Sequence, residues 1–215
     1  MTYIPYEAHQ QLESLKATGQ WGDAIALINK YLAKDPTNEE ALLQIADINY
    51  RRGEIDMAEK AVDFLNSTKG EEDPMALYVK GVLAMEKLQR REAIRHLKRA
   101  NELTDFTNHE IVRAFGISQY RYGNREKGMY LLDVAYDINT LDAEIIYNII
   151  ELSLLERQIS KARTMIKYYH TSRDELMVFD KTIAYYDEKI NLFDEYLSSD
   201  LITHKLKKKK QETHQ

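Results

Sequence analysis

The chain has 215 residues, 44% hydrophobic and 30% charged, with a net charge of −5, no cysteine, three prolines and eight glycines. Lack of cysteine excludes disulfides, thiol catalysis and thiolate-held zinc, and the scarcity of Pro and Gly excludes a loop-rich fold. The last fifteen residues carry five lysines against Glu212, so residues 1–200 hold 25 basic and 34 acidic groups, a body of −9 that disfavours nucleic acid as the main ligand.

From Met1 to Glu7 there is neither a basic start nor a continuous apolar stretch, and no run of about 18 apolar residues follows, so a cytoplasmic protein without a membrane span is expected. Beyond this segment three ladders of residues recur every 34 or 35 positions. Ala24, Ala58, Ala93, Gly128 and Ala162 form one; Leu12, Ala46, Gly81, Gly116 and Ile150 form the second; Ile28, Val62, Leu97, Leu132 and Ile166 form the third. A period of this length predicts stacked helix pairs whose neighbours jointly bury a core. The predicted helices are 6–18 and 22–34, 39–52 and 56–66, 74–87 and 91–103, 109–122 and 126–138, 143–156 and 160–171, then a longer one over 174–199.

Local punctuation fits these limits. Thr37-x-x-Glu40 and Thr107-x-x-Glu110 are capping-box patterns, and Asp73 precedes Pro74 as a cap before a residue whose missing N–H is tolerated. Gly19, Gly53 and Gly123 fall between the two helices of their pairs, where positive φ ends a helix. The small-residue ladder predicts close crossings within each pair, so enlarging Ala93 to Leu should cost about 1–3 kcal/mol.

Gly19-Gln20-Trp21-x-x-Ala24-Ile25-x-x-Ile28-x-x-Tyr31-x-x-x-x-Pro36 resembles the second half of a tetratricopeptide repeat, and the third repeat, with Gly81, Ala93, Leu97 and Ala100, is similar to the whole motif. The resemblance implies an all-α, right-handed α-α superhelix (a TPR solenoid) of about eleven helices. Five repeats would span 5–171, followed by a capping or dimerising helix over 172–199 and a basic, disordered tail over 200–215. Arg90 and Arg125 stand where an aromatic or aliphatic residue is usual, and Leu88 and Arg157 replace the turn glycine.

The resemblance further implies that the first helix of each pair lines a groove receiving a peptide or helix of another protein. By phase that groove takes Leu43, Asp47, Tyr50 and Arg51, then Met75, Tyr78, Val82 and Met85, then Arg113, Ile117, Tyr120 and Arg121, and finally Tyr147 and Glu151. Apolar and aromatic residues edged by arginine suit an apolar segment or amphipathic helix. The alternative is that Val82, Met85 and Ile117 merely pack between repeats. The Lys/Asn/Arg clamp of chaperone-binding relatives is absent, since the corresponding places hold His9, Glu13, Gln44, Met75 and Val79.

Leu176, Phe179, Ile183, Tyr186, Ile190, Phe193 and Leu197 follow a heptad, read either as a cap on the fifth repeat or as a homodimer seam. The six histidines are scattered, and no phosphate loop or nucleophile elbow occurs. No enzyme activity, cofactor or metal is therefore expected. The expected function is a binding scaffold, adaptor or assembly chaperone. The alternatives are a nucleic-acid-associated factor using the lysine tail and a homo-oligomeric structural subunit of a secretion or pilus-type assembly.

Overall fold

A computed structural model describes residues 3–69, 73–176 and 184–199. The helices are α1 (Tyr6–Ala17), α2 (Trp21–Leu32), α3 (Glu39–Arg51), α4 (Ile55–Lys69), α5 (Pro74–Glu86), α6 (Arg90–Leu103), α7 (His109–Arg121), α8 (Arg125–Ile138), α9 (Ala143–Leu155) and α10 (Ile159–Ser172). A short 3-10 turn, Arg173–Glu175, follows, and α11 covers 184–199. Among the described residues there is no strand. The chain packs as two compact units, Met1–Leu131 and Leu132–Gln215, a division inside α8 that the ladders do not mark.

The turn inside every pair is built the same way. At the third pair, the Leu88 N–H bonds the Met85 carbonyl (3.1 Å) and the Gln89 N–H reaches the Ala84 carbonyl (2.8 Å). This is the 5→2 and 6→1 pattern that satisfies the orphan carbonyls of a helix end. Gly19, Gly53 and Gly123 make it at φ of 69°, 76° and 99°, and Leu88 and Arg157 hold the same left-handed place at 57° and 56°. The two departures from glycine therefore keep the turn and absorb backbone strain instead.

Between pairs, helices begin on capping side chains. Asn38 accepts from the Ala41 N–H (2.9 Å), Asp73 from Ala76 (2.7 Å), Asn108 from Ile111 (3.1 Å) and Asp142 from Glu144 and Ile145. The two capping boxes read from the sequence therefore do not form, and the cap lies one residue further on. The Thr37 hydroxyl bonds Asp35 and that of Thr107 bonds the Thr104 carbonyl, because each threonine is followed by an asparagine, the stronger N-cap. Glu40 turns to the N-terminal segment, accepting from the Ile4 N–H and touching His9, while Ile4 is fully buried beside Leu12, Ala24 and Ile28.

The small-residue ladder is buried throughout. At Gly128 an added Cβ would meet Tyr120 Cβ and backbone N at 2.7 Å and the Gly116 carbonyl at 2.8 Å, so α7 and α8 touch backbone to backbone. At Gly81 it would run into the Leu97 side chain. In the first unit α3 approaches α5 and α5 approaches α7, more closely than successive second helices approach each other. The first helices α1, α3, α5 and α7 accordingly form the inner layer of this unit.

In the second unit α11 packs on its own chain. The buried Tyr169 hydroxyl donates to Asp187 (2.8 Å), Arg173 donates to the same carboxylate (2.6 and 3.2 Å), and Arg163 donates to the Leu197 carbonyl (2.8 Å). Tyr186, Ile190 and Leu197 are buried. The continuous helix expected over 174–199 is interrupted: α10 ends in the 3-10 turn, and Leu176 is extended (φ −63°, ψ 133°).

Candidate interaction surface

The inner layer of the first unit opens with a buried cation. Lys16 is only 6% exposed, and its Nζ donates to Asp47 (2.7 Å) and Gln44 (3.1 Å) and contacts Glu13. Asp47 also accepts from Arg51 Nε (2.9 Å). Burial pushes the Asp47 carboxyl pKa up, but the charges of Lys16 and Arg51, with the bonds they donate, outweigh it and hold the group below the ordinary 3.8. The network ties α1 to α3 and explains Asp47 without a ligand. Sequence reasoning does not single out Lys16, whose only signal there is a 28- and 31-residue spacing to Gln44 and Asp47. Lys87 repeats those spacings backwards, to Glu59 (2.6 Å) and Asp56 (3.0 Å).

Further along, Leu43 and Tyr50 are half-buried against Leu42, Ala46 and Leu83, and Met75 and Tyr78 are half-buried against Leu77, Ala100 and Ile111. Val82, Arg113, Ile117 and Tyr120 are also half-buried, while Arg51 and Arg121 are exposed. The Tyr50 hydroxyl reaches Glu86 across to α5 (3.4 Å). Two assignments need correction. Met85 is 7% exposed and belongs to the core, because the buried face of α5 is broad enough at its end to take Leu83, Ala84 and Met85 together. Tyr147 shares the ladder position of Tyr78, yet its ring lies against Tyr185, Tyr186 and Phe193, with centroids 5.5–6.2 Å away, and its hydroxyl donates to Glu151 (3.1 Å). The C-terminal helix covers the last stretch of surface that phase alone leaves open.

A basic cluster borders the inner face where α5 turns into α6 and α7 into α8. The Arg90 guanidinium sits over Tyr122 (5.8 Å), that of Arg125 over Tyr120 (5.7 Å), and the Lys127 ammonium over Phe115 (5.3 Å). Arg90, Arg91, Arg125 and Lys127 occupy first turns, where the helix dipole disfavours a cation by about 0.3–1 kcal/mol each.

On α11 the heptad residues Tyr186, Ile190 and Leu197 face their own unit, Leu176 is buried and Phe193 is half-buried; Phe179 and Ile183 lie outside the described residues. The exposed face carries Tyr185, Leu192 and Tyr196 instead, at 48, 51 and 60% exposure. Among the described residues no group of three or more His, Asp or Glu is arranged to hold a metal ion, and no helix is long and apolar enough to cross a membrane.

The family described as the TT21 fifth ARM repeats domain matches residues 18–118. No curated protein matches the sequence. Among solved structures the chain is similar to TTC0263, a thermophilic TPR protein of Thermus thermophilus, with 18% identity, 86% of this chain and 98% of that one covered, and a TM-score of 0.69. It is similar to pilF of Pseudomonas aeruginosa, with 14% identity, 94% and 90% covered, and a TM-score of 0.64. It is also similar to YrrB, a TPR protein described as having an unusual peptide-binding site, with 17% identity, 86% and 92% covered, and a TM-score of 0.51. The fold is that of tetratricopeptide-type repeat proteins.

Proposed function

We propose that this tetratricopeptide-type repeat chain is a protein-interaction scaffold that holds an apolar segment or amphipathic helix of a partner against α3, α5 and α7. The observation that carries the reading is the run of half-buried Leu43, Tyr50, Tyr78, Ile117 and Tyr120 on successive inner helices, edged by exposed Arg51 and Arg121. Half-exposed aromatics held by a rigid layer supply contact area at little entropic cost, and Tyr and Arg are enriched among the residues that dominate protein interfaces. YrrB, which shares the fold, is described as having a peptide-binding site.

The test is affinity capture from source cells by the intact chain and by Tyr78→Ala/Tyr120→Ala, followed by mass spectrometry. Two anchors at about 2 kcal/mol each remove capture at ordinary concentrations while the chain stays folded and helical, with only the lower melting temperature expected from two half-buried rings lost. Unaltered capture defeats the reading. A second reading, a self-associating structural subunit, is favoured by the exposed Tyr185, Leu192 and Tyr196 on α11. It predicts a dimeric or larger mass in sedimentation that Leu192→Glu returns to monomer. The lysine tail that motivates a nucleic-acid reading lies outside the described residues.

A further inference from the structure

We infer that the turn edge of the third and fourth repeats is a second docking site, taking a carboxylate-rich segment of a protein partner. The residues are Arg90 and Arg91, which open α6, and Arg121, Arg125 and Lys127 around the start of α8; all five are exposed. These five cations stand among two acids, Glu92 and Glu126, so a patch of +3 lies on a body of −9. One of the two acids, Glu92, is already bound by Arg95. In the adjoining turn Lys87 is taken up by Asp56 and Glu59; Glu86 keeps its charge while accepting the Tyr50 hydroxyl, and counting it together with Arg95 leaves the patch at +3. Arg91 and Arg121 make no ion pair among the described residues.

Fold stability does not explain the placement. Helices α3, α7 and α9 put Glu39, Glu40, Glu110 and Glu144 in their first turns, as the helix dipole favours. Helices α6 and α8 crowd Arg90, Arg91, Arg125 and Lys127 there, two cations around each single glutamate. Ring contacts offset part of this cost at Arg90, Arg125 and Lys127, but Arg91 is exposed with neither a ring contact nor an ion pair among the described residues, and a local rule broken at adjacent repeats points to residues kept for an external ligand. The support is already built. Tyr122 and Tyr120 back the Arg90 and Arg125 guanidinium groups at 5.8 and 5.7 Å, which limits the rotamer freedom a ligand would otherwise have to quench.

The ligand class follows from charge and extent. Guanidinium groups take carboxylates through paired N–H···O bonds. A long polyanion leaving a +3 patch would run onto the acidic body, whereas a short carboxylate run of a protein ends within it. The site overlaps the apolar inner face only at its edge, through Arg121 at the rim and Tyr120 behind Arg125; Arg90, Arg91, Arg125 and Lys127 lie outside that face.

The probe is a labelled glutamate-rich peptide, with its glutamine counterpart and a single-stranded oligonucleotide of equal length as comparisons, titrated against the full chain at low and high salt. The glutamate peptide binds, weakens with salt and outcompetes the other two. Arg90→Glu/Arg91→Glu/Arg125→Glu weakens it at least tenfold while raising the melting temperature, since the new acids suit the helix dipole; loss of binding with gain of stability separates a ligand site from a structural one. Replacing the five tail lysines by glutamine, or Tyr78 by Ala, leaves peptide binding unchanged, so failure here and failure of the inner-face reading are told apart. Equal binding by the triple variant, loss in the tail variant alone, tighter binding of the oligonucleotide, or no binding at low salt each overturns the inference.

Discussion

Replacing Gly128 by Ala tests the packing geometry most sharply, because two effects of known sign compete. In a free helix the change is favourable by about 1 kcal/mol, through lower backbone entropy in the unfolded chain. In this fold the new methyl sits 2.7 Å from Tyr120 N and Cβ and 2.8 Å from the Gly116 carbonyl, against an ordinary contact of 3.4 Å or more. Three of α7's fixed atoms meet it, so α7 and α8 must part by about 0.6–0.7 Å, opening the core beside them. Overpacking of this kind costs roughly 1–3 kcal/mol, leaving a net loss of about 1 kcal/mol. Gly22 provides the matched control: it lies in α2 with nothing within 4 Å of its Cβ position, so Gly22→Ala gains up to about 1 kcal/mol. In urea unfolding followed by circular dichroism, with a slope near 2 kcal/mol per molar, the midpoints move in opposite directions by about 0.5 M each. If Gly128→Ala stabilises as much as Gly22→Ala, the two backbones are not in contact and the crossing is wrong.

Three further outcomes can be checked alongside. Leu88→Gly relieves a left-handed leucine that is 81% exposed and raises stability by about 1 kcal/mol in the same unfolding assay; a lower midpoint would mean that the turn is not left-handed. Asn108→Ala removes an N-cap at a cost of about 1 kcal/mol, while Thr107→Ala stays within about 0.5 kcal/mol; the reverse order would restore the threonine as the cap. Because the Asp47 pKa is depressed on folding, its contribution is present above the unfolded value of 3.8 and is lost as pH falls through the lower folded value. Asp47→Asn therefore flattens the acid side of the stability profile, and an unchanged acid side would show that the Lys16 network is energetically idle.

The repeat architecture is legible in the sequence because each ladder position meets the same demand, a small or apolar group at a crossing, once per pair. The five intra-pair turns are legible where glycine marks them, and at Leu88 and Arg157 only through the period, since local chemistry argues against positive φ there. Sequence patterns misplace the caps by one residue because Thr37-Asn38 and Thr107-Asn108 offer two capping side chains in succession, and only the backbone decides between them. Tyr78 and Tyr147 are indistinguishable by phase, and what separates them is α11, whose docking on α9 and α10 depends on Tyr169, Arg173 and Asp187 meeting across 14 to 18 residues. Lys16 escapes a sequence reading because lysine is seldom buried unless paired, and its partners sit a repeat away. Met85 misleads because the buried face of a helix is broader than the phase of one ladder implies.

The central claim is that the apolar segment of the partner lies against the inner helices. A photo-crosslinking amino acid at position 78 on α5, and in a parallel chain at position 64 on the exposed side of α4, away from the basic patch, tests it in source cells. The account predicts a crosslinked partner from position 78 and none from position 64. Crosslinks from position 64 alone, or equally from both, would contradict it.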